Sequence, residues 1–79
     1  MSSETERVVT EFWGELLESD ESIDPGDRLV ELGGNSLIAT MLANRIEIEW
    51  GFRPSMEELL TCTLRELSDL CEERRAAPR

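Results

Sequence analysis

The chain has 79 residues, 39% of them hydrophobic, with 18 acidic and 8 basic side chains and a formal net charge of −10. That is enough for one small domain with a modest core, and too acidic a surface for nucleic acid or an anionic membrane. The absence of histidine excludes the usual general base near neutral pH, the Ser-His-Asp arrangement and every His-containing zinc site.

The first six residues carry no basic region followed by an apolar stretch, so they do not read as a secretory signal. No apolar run approaches the ~18 residues of a membrane span. Ser3-Glu4-Thr5-Glu6 is a capping box, in which a hydroxyl and a carboxylate satisfy exposed backbone donors. Val8, Val9, Phe12, Trp13, Leu16 and Leu17 then recur at helical steps, so the first helix is predicted to run to about Leu17. Gly14 inside it costs up to ~1 kcal/mol against alanine without breaking the helix.

From Glu18 to Gly34 the periodicity stops, and Ser19, Asp20, Asp24-Pro25-Gly26-Asp27 and Gly33-Gly34 are turn formers. A loop this long in so small a domain is often functional. Leu29 and Leu32 are expected to be buried and to pin it.

Ser36 to Trp50 contains neither Gly nor Pro and reads as the second helix. Ala39, Leu42, Ala43, Ile46 and Trp50 form one stripe suited to the core. Leu37, Met41 and Ile48 fall within about 40° of one another on the opposite side. Either another part of the chain covers that second stripe or a partner protein docks on it.

Two further capping boxes follow. Ser55-Met56-Glu57-Glu58 opens a short helix holding Met56, Leu59 and Leu60. Thr63-Leu64-Arg65-Glu66 opens the last helix, with Leu64, Leu67, Leu70 and Cys71 inward. No segment alternates with period two. The fold is predicted to be all-α, a bundle of three main helices plus one short helix with a long first loop. One domain spans residues 1–79, with an ordered core of about 4–73 and a disordered tail over 74–79. Cys62 and Cys71 stand nine apart without a CxxC partner and read as reduced structural thiols, and no metal site is expected.

The candidate site is Leu32-Gly33-Gly34-Asn35-Ser36-Leu37. The two glycines allow a tight turn with nothing bulky around it, and Ser36 stands at a helix start. Ser36 could itself be the N-cap; if Asn35 caps instead, the Ser36 hydroxyl projects outward beside a terminus that favours phosphate. Self-catalysis by Ser36 lacks a histidine, a lysine and the GxSxG elbow. A serine modified by another enzyme fits better.

Asp27-Arg28-Leu29-Val30-Glu31-Leu32-Gly33-Gly34-Asn35-Ser36-Leu37 resembles the attachment signature of phosphopantetheine carrier proteins. The likeness runs from Val8 to Leu70 in element order and spacing. The paired glycines and the nearly uncharged stretch from Leu37 to Ile46 resemble the peptidyl (aminoacyl) branch that serves nonribosomal peptide synthesis. The strongly negative total charge leans toward acyl carriers of polyketide or fatty-acid type, which stand as the alternative. Asn35 departs from the His or Asp usual in the peptidyl branch, keeping the capping oxygen and losing the charge.

The resemblance implies a four-helix carrier that is not an enzyme and bears 4'-phosphopantetheine covalently on Ser36. Gly33, Gly34, Asn35 and Leu37 would support the motif. Leu37, Met41 and Ile48 with Val30 and Glu31 would form a docking surface. Asp20, Glu21, Asp24 and Asp27 either steer basic partners or serve solubility alone. The partners implied are a phosphopantetheinyl transferase, an adenylation enzyme and condensation or tailoring enzymes. The expected state is a cytoplasmic, free-standing monomer. A small acidic interaction module, with Ser36 no more than a cap, is the reading from a different class.

Overall fold

A computed structural model describes residues 4–18 and 22–74. Four helices follow in order: α1 (Glu4–Leu17), α2 (Ser36–Trp50), α3 (Met56–Thr61) and α4 (Leu64–Arg74). A 3₁₀ turn over Leu29–Leu32 interrupts the first loop. The described residues hold no strand, only an isolated antiparallel bridge between Arg28 and Thr63. The all-α bundle of three main helices and one short helix is therefore the fold, and α2 has the predicted ends.

Each helix forms because its apolar residues return to one side, and each is stabilised mainly by burying that side. α1 contributes Val9, Trp13 and Leu16, and α2 contributes Ala39, Leu42, Ala43 and Ile46. Leu59 of α3, Leu64, Leu67 and Cys71 of α4, and Leu29 of the loop complete the core. Burying each such leucine contributes about 1.5–3 kcal/mol. Against it α1 packs on both α4 and α2, and α2 packs on α3. Trp13 is fully buried, and its indole N–H has no hydrogen-bond partner among the described residues.

Several positions lie further out than the periodicity implies. Leu32, Trp50, Leu60 and Leu70 are half-buried, packed against the core from its edge. Met56, the first residue of α3, is exposed. Trp50 sits at the last turn of α2, where its ring meets Phe12 at 6.1 Å between centroids. The Arg45 guanidinium lies 5.6 Å above the Phe12 ring and also pairs with Glu15, which clasps α1 to α2.

Both internal capping boxes form. The Ser55 hydroxyl accepts from the Glu58 N–H at 3.1 Å while the Glu58 carboxylate accepts from the Ser55 N–H at 2.9 Å. Thr63 and Glu66 repeat the arrangement at 3.1 and 2.9 Å. The tail expected from Arg74 starts later than that, because Arg74 is the last residue of α4 and pairs with Glu58; the box expected at Ser3 and residues 75–79 lie outside the described residues. Cys71 is buried and Cys62 half-buried. Burial pushes the Cys62 thiol pKa up, and the nearby Glu66 and Glu58 carboxylates add to it. No described helix is long and apolar enough to cross a membrane.

Candidate functional site

The chain reaches the candidate serine through a turn that needs both glycines, for different reasons. Gly33 closes the 3₁₀ turn with φ +95°, a left-handed conformation that side chains disfavour, and no atom lies within 4 Å of where a Cβ would stand. Gly34 faces inward. A Cβ there would come 2.5 Å from Leu29 Cγ and 2.9 Å from the Leu29 carbonyl oxygen, which already accepts the Gly34 N–H at 2.9 Å. The expectation that nothing bulky surrounds the pair thus holds for Gly33 and is corrected for Gly34. Its missing side chain makes room for buried Leu29, so that the turn can press onto the core.

Asn35 wins the capping position. Its side-chain oxygen accepts from the Ile38 N–H at 3.0 Å, and its carbonyl accepts from the Ala39 N–H at 2.8 Å. Ser36 is therefore the first residue of α2, exposed to solvent. Its carbonyl takes the Thr40 hydroxyl at 2.9 Å, while its own hydroxyl makes no hydrogen bond to any described residue. Helix geometry also leaves the N–H groups of Ser36 and Leu37 without an intrahelical acceptor.

The electrostatics single out the same place. α1 carries Glu4 and Glu6 in its first turn, α3 carries Glu57 and Glu58, and α4 carries Glu66. The first turn of α2 has no acid. In a chain of net charge −10, the positive end of its longest helix is left unneutralised, which suits a bound phosphate. An unbonded hydroxyl, two free N–H groups and the open space beside Gly33 fit a phosphodiester-linked group on Ser36.

Around this point the second apolar stripe is uncovered. Leu37 is 69% exposed, Met41 40%, Ile48 84% and Val30 46%, and Glu31 is exposed as well. The stripe is not continuous. Ile48 lies about 10 Å beyond Met41 along the axis, and Asn44 stands between them. The Asn44 side-chain oxygen accepts from Arg53 at 2.7 Å, and Arg53 pairs with Glu47 at 2.8 Å. Leu37 and Met41 thus form the part of the stripe nearer Ser36, and Ile48 is an outlier.

The loop acids divide. Asp24 is exposed, whereas the Asp27 carboxylate accepts from the Asp24 N–H at 3.0 Å and shapes the loop itself. Asp20 and Glu21 lie outside the described residues. Sequence reasoning missed Arg28. Its Nε donates to the Thr61 carbonyl at 3.0 Å, and its guanidinium lies 3.7 Å from the Glu31 carboxylate. The one local hint was the three-residue spacing from Arg28 to Glu31, whose carboxylate accepts the Arg28 N–H at 2.9 Å.

The family profile described as "phosphopantetheine attachment site" matches residues 7–71. Among curated proteins, the chain is similar to nonribosomal peptide synthetase 5 of Aspergillus fumigatus (strain Af293) and nonribosomal peptide synthetase hasD of Aspergillus fumigatus (strain CEA10). Each is 37% identical over 57 residues, which is 68% of this chain. The chain spans about 3% of the length of the first and 2% of the second. Proteins with this domain hold 4'-phosphopantetheine covalently on a serine and act as carriers without chemistry of their own. Four helices in the expected order, an acid-free helix start and a profile match covering α1 to α4 agree: the chain belongs to the phosphopantetheine attachment family.

Proposed function

We propose that Ser36 bears the phosphopantetheine arm and that the chain presents an aminoacyl thioester to partner enzymes of nonribosomal peptide synthesis. The observation that carries the reading is the Ser36 hydroxyl, exposed and without a hydrogen bond to any described residue, at the one α-helix start among the described residues without an acid in its first turn. The likeness to nonribosomal peptide synthetases, the Gly33-Gly34 pair and the uncharged first half of α2 favour the peptidyl branch over the acyl one.

In modification the Ser36 oxygen forms the new bond to phosphorus. Its proton passes to a base of the transferase, and the nucleotide half of coenzyme A leaves. Asn35 keeps the helix start in place by holding the Ile38 N–H, so that the Ser36 and Leu37 N–H groups face the phosphate. When bound, the group supplies a flexible arm ending in a thiol, which raises the effective concentration of cargo at a docked partner. Leu37, Met41, Val30 and Glu31 form the docking surface in this reading, with Ile48 at its far edge. The partners are a phosphopantetheinyl transferase, an adenylation enzyme and a condensation or tailoring enzyme. The chain acts as a monomer in the cytoplasm.

The test is to arm the protein with coenzyme A, Mg²⁺ and a promiscuous transferase, then offer two kinds of loading. Adenylation enzymes with amino acids and ATP should add an aminoacyl mass to the armed form. Loading only from acyl donors would move the chain to the acyl branch, which its net charge of −10 favours. No arming of the folded protein would leave Ser36 as a helix residue of an interaction module.

A further inference from the structure

The first loop does more than connect α1 to α2, because it completes both ends of the α3–α4 junction. The Asp27 and Pro25 carbonyls accept the N–H groups of Leu64 and Arg65 at 2.8 and 2.9 Å. The Arg28 Nε donates to the carbonyl of Thr61, the last residue of α3. That carbonyl is one of those a helix C-terminus leaves without a partner, and a cation suits the negative end of the helix. On its other side the Arg28 guanidinium faces the Glu31 carboxylate at 3.7 Å. Two residues on from Glu31, the chain enters the Gly33-Gly34 turn and then Ser36.

We propose that Arg28 is a positioning residue for the modification reaction. By tying the Leu29–Leu32 turn to the α3 terminus through Thr61, it fixes the height of that turn and the direction of Glu31 relative to Ser36. The inference rests on the assignment of Ser36 as the attachment serine. Arg28 touches no reacting atom. It acts through Val30 and Glu31, the exposed turn residues that the proposed function assigns to the docking surface. The backbone bonds from Leu64 and Arg65 to the loop do not involve the Arg28 side chain, so the fold outlasts its loss.

Side-chain length separates a hydrogen-bonding role from a charge role. The amide nitrogen of Gln occupies the same place along the side chain as the Nε of Arg, so Arg28→Gln keeps the donor to Thr61 and drops the charge. Arg28→Lys keeps the charge and puts a methylene where the donor was. The experiment measures kcat and KM for the carrier in the transferase reaction with coenzyme A, on variants shown by circular dichroism and thermal melting to be folded at the assay temperature.

Arg28→Ala and Arg28→Lys should raise KM about fivefold, the factor set by losing one hydrogen bond that a charged group makes at a surface. Their kcat should stay near the parent value, and Arg28→Gln should stay within about twofold of the parent KM. Arg74→Ala breaks the exposed pair with Glu58 at 3.0 Å and should leave KM unchanged. Parent-like KM in Arg28→Ala, or Lys rescuing where Gln does not, would overturn the proposal. An equal rise in Arg74→Ala would also overturn it, by making the effect one of general loosening. Ser36→Ala runs alongside: continued modification of that variant would remove the attachment reading itself, whereas its block with unchanged Arg28 variants would remove only this inference.

Discussion

The N-termini of α2 and α4 use the same capping chemistry and reach opposite ends. At α4 the first four N–H groups are all taken: Leu64 by Asp27, Arg65 by Pro25, Glu66 by the Thr63 hydroxyl and Leu67 by the Thr63 carbonyl. At α2, Asn35 takes those of Ile38 and Ala39, and no described residue takes those of Ser36 and Leu37. A loop from elsewhere in the sequence closes the first terminus and an acid, Glu66, lies in its first turn. The second has neither. On the proposed reading, a helix start becomes a phosphate site by what the fold withholds from it, more than by the capping residue it owns.

The contrast can be broken from the side of the turn that holds α2 open. Leu29→Ala removes a fully buried side chain and should cost about 2–5 kcal/mol. In a domain this small, that lowers Tm by about 10 °C or more in a melting curve. Gly34→Ala should cost about 1–3 kcal/mol through the clash with Leu29. Its modification rate should fall as well, because the turn must lift away from the core. A Gly34→Ala protein as stable as the parent would mean that the close approach to Leu29 is not maintained.

A matched pair sharpens the comparison. Asn35→Ala and Thr63→Ala each remove one cap and should each cost about 1 kcal/mol in chemical denaturation. Only Asn35→Ala should slow modification by coenzyme A and a transferase, since on the proposed reading it is α2, and not α4, that presents its terminus to a phosphate. Equal slowing in the two folded variants would erase the distinction between the termini.

The smallest effect concerns α3. The Ser55 backbone N–H, with help from Arg74, holds the Glu58 carboxyl below its ordinary value of 4.5, against the opposing effect of burial. A lowered folded-state pKa means stability that is present above about 4.5 and lost as pH falls through the folded value. Glu58→Gln should therefore flatten the acid side of the stability profile, read as Tm against pH. It should leave modification at neutral pH unaltered.

What the sequence disclosed was local. Capping boxes at Ser55 and Thr63, and apolar periodicity from Ser36 to Trp50, are written in residues three or four apart, so the starts of α3 and α4 and both ends of α2 were legible. The same logic offered both Asn35 and Ser36 as the cap, and the structure decides for Asn35, which leaves Ser36 as the exposed first residue. The Leu29–Leu32 turn was not legible, because four residues are too few to show a period. Contacts with residues about thirty positions later hold it, the Arg28 bond to Thr61 among them. The inward role of Gly34 was hidden for the same reason, since it depends on where Leu29 lies. Trp50 and Leu70 were assigned to an inner face by angle alone, and angle does not reveal how far the neighbouring helices extend over them.

The most direct test is intact-protein mass for parent and Ser36→Ala after identical incubation with coenzyme A, Mg²⁺ and transferase. Both should show the same helical circular dichroism, because the Ser36 hydroxyl makes no contact that holds the fold. The parent should gain the mass of one phosphopantetheine and Ser36→Ala none. A gain in both would place the arm on another residue, and a gain in neither from folded protein would contradict the reading of α2 as an open phosphate terminus.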